Sequence, residues 1–157
     1  MHRKTLPLTD NGCAMVIPLD PDDLPGSLDA LLARIGAPWV RALGLRVTAS
    51  DGERTTLHLL VTRDLVHGGG VMCGQATLAA ADTAMVLGLS ASLGRFQPMT
   101  TVQLQTSFLR PVPADAGHLR VVCTVLRRGR TLAFGEVSFF TADDRLVAQA
   151  TTSYALL

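Results

Sequence analysis

Residues 67–89 read HGGGVMCGQATLAAADTAMVLGL, and the interpretation of the whole chain turns on them. From Gly74 to Leu93 no proline interrupts the run; Gly94 follows it and Pro98 comes shortly after, a pair of helix stop signals. The run is apolar on nearly every side, so the pattern predicts one long helix over 74–93 that another layer must cover. Its polar residues are Gln75, Thr77, Asp82, Thr83, Ser90 and Ser92, and only Asp82 ionises in water. Leu78 and Val86 stand four residues to either side, so no local cation answers the charge. Burying a lone carboxylate raises its pKa, a cost that proteins tolerate chiefly where the group has a task. The structural alternative is an Asp82 turned to solvent, or one accepting hydrogen bonds from a distant arginine.

Working outward, the period changes from helical to two. LRVTAS and RTTLHLLVT flank the turn signal Asp51-Gly52, which predicts a hairpin before the helix. After it come TTVQLQTSFLR, HLRVVCTVLRR, TLAFGEVSFFT and RLVAQATTSYAL, separated by PVPADAG, RGR and ADD. In the first of these Val102, Leu104 and Phe108 alternate with Gln103, Gln105 and Ser107, which predicts a strand with one packed face. Two strands, one long helix and four strands on short loops imply an α+β fold, with an antiparallel sheet wrapped around the helix. Before it, Leu28, Leu31, Leu32 and Ile35 fall at helical spacing after a Pro, Gly and Asp-rich start. Residues 1–37 are therefore read as an arm with a short helix, and 38–157 as the main domain.

Gly68, Gly69, Gly70 and Gly74 permit close backbone approach and positive φ just before the helix. The first helical turn then offers unpaired N–H groups and the positive end of the helix dipole, the donors that an oxyanion hole requires. No Lys-Ser/Thr pair follows for a phosphate loop, the third glycine of the dinucleotide fingerprint is missing, and Cys73 lacks the register of a nucleophile elbow. Gly74 and Asp82 are eight residues apart, roughly 12 Å along a helix at about 1.5 Å per residue, too far to touch one carbonyl. If both act on one substrate, the site lies between two copies of the chain.

The bulk properties narrow the partner. Lys and Arg total 14 against 13 for Asp and Glu, so nothing favours nucleic acid or a charged membrane, and a small, nearly neutral partner fits better. No signal peptide and no membrane span of roughly 20 apolar residues is read in the chain. Cys13, Cys73 and Cys123 suit neither a disulfide framework nor a paired-cysteine zinc site, which points to a reducing cytoplasm. His2, His58 and His118 show no metal-ligand spacing, and no metal is expected.

AADTAMVLGL, TTVQLQTSFLRPV, HLRVVCTVLRRGRTLAFGEVSFF and RLVAQATTSYAL are similar, in this order, to segments of the hotdog-fold acyl-CoA thioesterases of the phenylacetate-degradation (PaaI-like) type. The likeness runs from about Leu45 to the C-terminus. It implies a hotdog fold, a homodimer or dimer of dimers, hydrolysis of a coenzyme A thioester, and no cofactor beyond the coenzyme A of the substrate. The family motif has an Asn, a Gly three places later, then His-Gly-Gly, with the catalytic Asp nine residues after that His. Counted back from Asp82, its His-Gly-Gly falls on Cys73, Gly74 and Gln75, its upstream Gly on Gly70 and its Asn on His67. Asp82, Gly70 and Gly74 match; His67, Cys73 and Gln75 depart. The conspicuous His-Gly-Gly at 67–69 lies in another register.

The resemblance implies that Asp82 activates water or attacks the thioester carbonyl, while the Gly74 N–H of a second subunit polarises that carbonyl. Gln75 is read either as an amide that positions water or as an exposed first-turn residue. Cys73 is either a nucleophile at a helix start or a small residue filling tight space. His67 is either a substrate contact or base, or a loop histidine with no chemical role. Arg110, Arg127, Arg128 and Arg130 are candidates for the phosphates of coenzyme A, against the ordinary reading of solvated turn residues. Two other functions compete with hydrolysis: a non-catalytic acyl-CoA binding protein, and a lyase using His67 as acid or base.

Overall fold

An apolar helix needs a covering layer, and the strands on either side of it supply one. The computed structural model describes residues 15–157. Along the chain run β1 (Ile17–Pro18), α1 (Leu24–Ile35), α2 (Pro38–Arg41), β2 (Arg46–Ser50) and β3 (Arg54–Leu60). Then come α3 (Gly74–Leu93), β4 (Arg95–Phe96), β5 (Met99–Phe108), β6 (His118–Arg128), β7 (Leu132–Phe140) and β8 (Leu146–Leu156). The six longer strands form one sheet in the order β2-β3-β6-β7-β8-β5, antiparallel at every junction. This is the α+β architecture expected: a curved antiparallel sheet closed over one central helix.

α3 has the bounds that its apolar run predicted, and Gly94 ends it at φ 69°, a left-handed conformation that costs a glycine little. Its last turn holds no basic residue, so the negative end of the helix dipole is met from outside by Arg128 of β6, whose guanidinium bonds the Ser92 carbonyl. Met85, Leu87 and Leu89 are wholly buried, roughly 1.5–3 kcal/mol each, enough to carry one partly buried carboxylate in the same helix. By length and apolarity alone α3 also qualifies as a membrane span, contrary to the sequence reading; its burial against the sheet identifies it as core.

Facing α3, the inward positions of the sheet alternate as period two requires, with Leu57 and Leu59 on β3, Leu119, Val121 and Cys123 on β6, and Val137 and Phe139 on β7. Burial pushes the Cys123 thiol up to about 12, so it behaves as a small hydrophobe. The expected early helix is α1, capped by Asp23 accepting the Gly26 N–H at 3.0 Å. Its Leu28, Leu31 and Leu32 join the main core, so this helix packs against the rest of the domain. Residues 1–14 of that arm, with His2 and Cys13, lie outside the described residues. The periodicity gave no sign of α2 or of the two-residue pairing of β1 with β4, both too short to show one.

β5 departs from its expected alternation. It lies at the sheet edge, where Leu104 is partly covered but Val102 is 60% and Phe108 55% exposed. A bulge between Thr101 and Gln103 breaks the register with β8, so Thr101 pairs with Tyr154 and Gln103 with Ser153. The inward face is thereby handed from Leu104 to Thr101, past Val102.

Candidate active site

Most of α3 is buried, but one stripe is not: Gln75 is exposed, and Leu78, Ala79, Asp82 and Val86 are only partly covered. At steps of three and four residues these share one helical face. On this face the carboxylate of Asp82 meets β5 and β8. Its Oδ1 accepts from the Thr101 hydroxyl at 2.8 Å and from the Tyr154 hydroxyl, which also lies 3.1 Å from the Asp82 main-chain carbonyl oxygen. Oδ2 accepts no hydrogen bond among the described residues. Burial first, then the neighbouring Asp82, hold the Tyr154 hydroxyl above the ordinary tyrosine range, so it stays a donor at neutral pH. Hydrogen bonds to a charged group contribute about 1.5–3 kcal/mol, and two of them offset much of the cost of placing Asp82 here.

These partners come from 19 and 72 residues away along the chain. No arginine is among them, and the rest of the carboxylate stays partly open to solvent. Tyr154 was missed from sequence, although it is the chain's single tyrosine and stands in the last extended segment. A lone acid without a local cation requires donors from across the fold, and an inward tyrosine was the available signal.

Two helical turns away, Cys73 is the N-cap of α3, extended at φ −72° and ψ 145°, with no side-chain capping bond. Its own N–H donates to the Leu65 carbonyl at 2.8 Å, and its thiol is free. The N–H of Ala76 turns back to the Cys73 carbonyl, whereas those of Gly74 and Gln75 have no acceptor among the described residues. The ring of Phe108 lies over this turn, its Cζ 3.3 Å from where a Gly74 side chain would begin. Gln75 projects outward from the same turn.

His67 is exposed in the tight turn that precedes the helix, where Val66 bridges to Met72. Its Nδ1 accepts the Gly69 N–H at 2.9 Å and its carbonyl accepts the Gly70 N–H. Of the four glycines, only Gly70 has positive φ, at 80°. The ring is thus engaged in shaping its own loop.

The four arginines divide between the two ends of α3. Arg110 follows Phe108 near the helix start and donates to the Leu146 carbonyl at 2.6 Å. Arg127, Arg128 and Arg130 stand near its end; Arg128 is committed to Ser92, while Arg127 and Arg130 are exposed and make no side-chain hydrogen bond among the described residues. No cluster of three His, Cys, Asp or Glu side chains suited to a metal occurs among the described residues.

One chain therefore presents, on its less covered face, a carboxylate fixed through one oxygen and a helix start with two N–H groups that are unpaired among the described residues. The pair suits a reaction in which a base or nucleophile meets a carbonyl whose oxygen takes on negative charge. Residues 66–148 match the family described as the thioesterase superfamily. A conserved protein of Pseudomonas aeruginosa is 30% identical, with a TM-score of 0.70 over 80% of this chain and 98% of that one. AziG of S. sahachiroi is 26% identical at a TM-score of 0.72, covering 77% of this chain and 97% of its own. The PaaI protein of E. coli, from the phenylacetic acid degradation operon, is 18% identical and shares the fold, with a TM-score of 0.72 over 86% of this chain and 96% of that one. No curated protein matches the chain. With a family match over more than half its length and a sheet closed around one helix as in these relatives, the chain belongs to the thioesterase superfamily and has the hotdog fold.

Proposed function

We propose that the protein hydrolyses an acyl-CoA thioester, at sites completed by two copies of the chain. The observation that carries this reading is the fixing of Asp82 through Oδ1 alone, which leaves Oδ2 free to act. The helix stripe around Asp82 is uncovered, and the neighbouring β5 has no charged residue and an open edge, features that favour a second copy on this side. With the two α3 helices antiparallel across that junction, Asp82 of one subunit faces the unpaired N–H groups at the start of the other helix.

In this arrangement Oδ2 of Asp82 takes a proton from water as the water oxygen attacks the thioester carbon, or attacks that carbon itself to give an anhydride that water then opens. The Gly74 N–H of the other subunit bonds the developing oxyanion, and its collapse expels the coenzyme A thiolate. Gln75, pointing out of the first turn, is placed to orient water. Cys73 serves as the small residue at the helix start, and His67 as a loop-forming residue. Arg127 and Arg130 are the cations available for the coenzyme A phosphates; Arg110 and Arg128 each hold a main-chain carbonyl instead.

Free thiol released from a series of acyl-CoA esters tests the proposal. Wild-type protein is expected to release thiol, and Asp82→Asn to lose about 10³-fold in kcat while remaining folded. Equal turnover by the variant removes Asp82 from the mechanism. Saturable binding without thiol release identifies a binding protein on the same fold.

A further inference from the structure

Beneath the first turn of α3, helix and sheet part around a cavity of about 270 Å³. Met72 and Thr77 roof it from the helix start, Leu119, Phe139 and Ala148 floor it from three adjacent strands, and Phe108 forms its outer wall. The Phe108 ring that lines this cavity is the one that lies over Gly74. Gly74 and the apolar chamber therefore lie one side chain apart, sharing the Phe108 ring. Thr83 and Ser90 return their hydroxyls to the carbonyls four residues earlier, at 2.8 and 2.7 Å, whereas Thr77 makes no such bond among the described residues.

We propose that this cavity receives the acyl portion of the substrate and selects an uncharged group of roughly six to ten carbons; the inference rests on the thioesterase reading above. A cavity of about 150 Å³ holds the six carbons of benzene, which sets the scale for the larger volume here. The pantetheine arm of coenzyme A is excluded by its two amides, which the apolar lining would leave unpaired. A charged acyl end is disfavoured as well: apart from Arg110 the lining carries no charged side chain, and burying an ion among these apolar groups costs more than burying an amide.

The test is kcat/KM across straight-chain acyl-CoA esters from acetyl to dodecanoyl, with thermal unfolding of every variant. For wild type, kcat/KM is expected to rise about fourfold per added methylene, the equivalent of about 0.8 kcal/mol, until the chamber is full, and to fall for longer chains. Ala148→Leu fills the floor and is expected to lower the octanoyl-to-butyryl ratio at least tenfold. Phe139→Leu enlarges the chamber and moves the longest accepted chain outward by one or two carbons, a gain that misfolding does not produce. A wild-type profile flat from acetyl to dodecanoyl, or folded variants that keep the wild-type profile, overturns the assignment while leaving hydrolysis intact. If no ester is hydrolysed, calorimetric binding of the same series separates the two ideas. Affinities that follow chain length and shift in the variants support the cavity and contradict the thioesterase reading, and affinities indifferent to chain length overturn the cavity.

Discussion

At one edge of the sheet β2 spans five residues, begins with Arg46 and is bulged between Val47 and Ala49. Beside it α1 supplies Asp29, whose Oδ1 takes the outward Val47 N–H at 2.9 Å. At the other edge β5 runs for ten residues without a charge and exposes Val102 and Phe108. Short length, bulges, charges and a covering element are the means by which sheets keep edges from pairing. β2 uses all four. β5 has only a bulge, and that bulge turns Thr101 inward to Asp82. The two edges teach that one side of the molecule is finished within the chain, while the other carries both the unfinished edge and the candidate chemistry.

The largest effect is expected from charging the unfinished edge. Val102→Lys places like charges near one another across a two-fold junction and is predicted to dissociate the protein at micromolar concentration, lowering turnover at least about 10²-fold. Thr48→Lys, at an exposed position of β2, leaves assembly and turnover unchanged. Sedimentation and thiol release read both. A Val102→Lys protein that stays paired and active breaks the distinction between the edges.

A smaller effect sharpens it. Tyr154→Phe keeps the buried ring but removes one donor from Asp82, and a hydrogen bond of about 1.5–3 kcal/mol to a charged group corresponds to a fall in kcat of at least about tenfold with KM unchanged. A rise in KM alone would mark Tyr154 as a wall of the binding site rather than a positioning residue for Asp82.

What was legible in the sequence follows from the range of the interactions involved. The bounds of α3 and the four strands after it are written in local period and punctuation, and Asp82 stood out because an uncompensated charge in an apolar helix is itself a local anomaly. The partners of Asp82 are not local. Strict alternation in β5 puts Val102 with Leu104 on the packed face, and only pairing with β8 fixes the bulge that brings in Thr101. The arginines near the RGR turn looked equivalent in sequence; contact with Ser92 separates Arg128 from its neighbours. The His-Gly-Gly at 67–69 shows the reverse case, a conspicuous local motif whose histidine is engaged in its own turn.

Mixed subunits probe the account most directly. Gly74 is the first residue of α3 and Cys73 before it is already extended, so Gly74→Pro removes one N–H where the backbone suits proline, with the Phe108 ring, 3.3 Å from its Cβ position, shifting to admit it. Alone, this variant is expected to lose about 10²–10³-fold in kcat, as Asp82→Asn loses about 10³-fold. Produced together in equal amounts, the two chains form mixed dimers in half of all pairings, each with one intact site made of Gly74 from one chain and Asp82 from the other. The account predicts recovery of about a quarter of wild-type turnover; mixed dimers isolated through two different tags and no more active than their parents would contradict it.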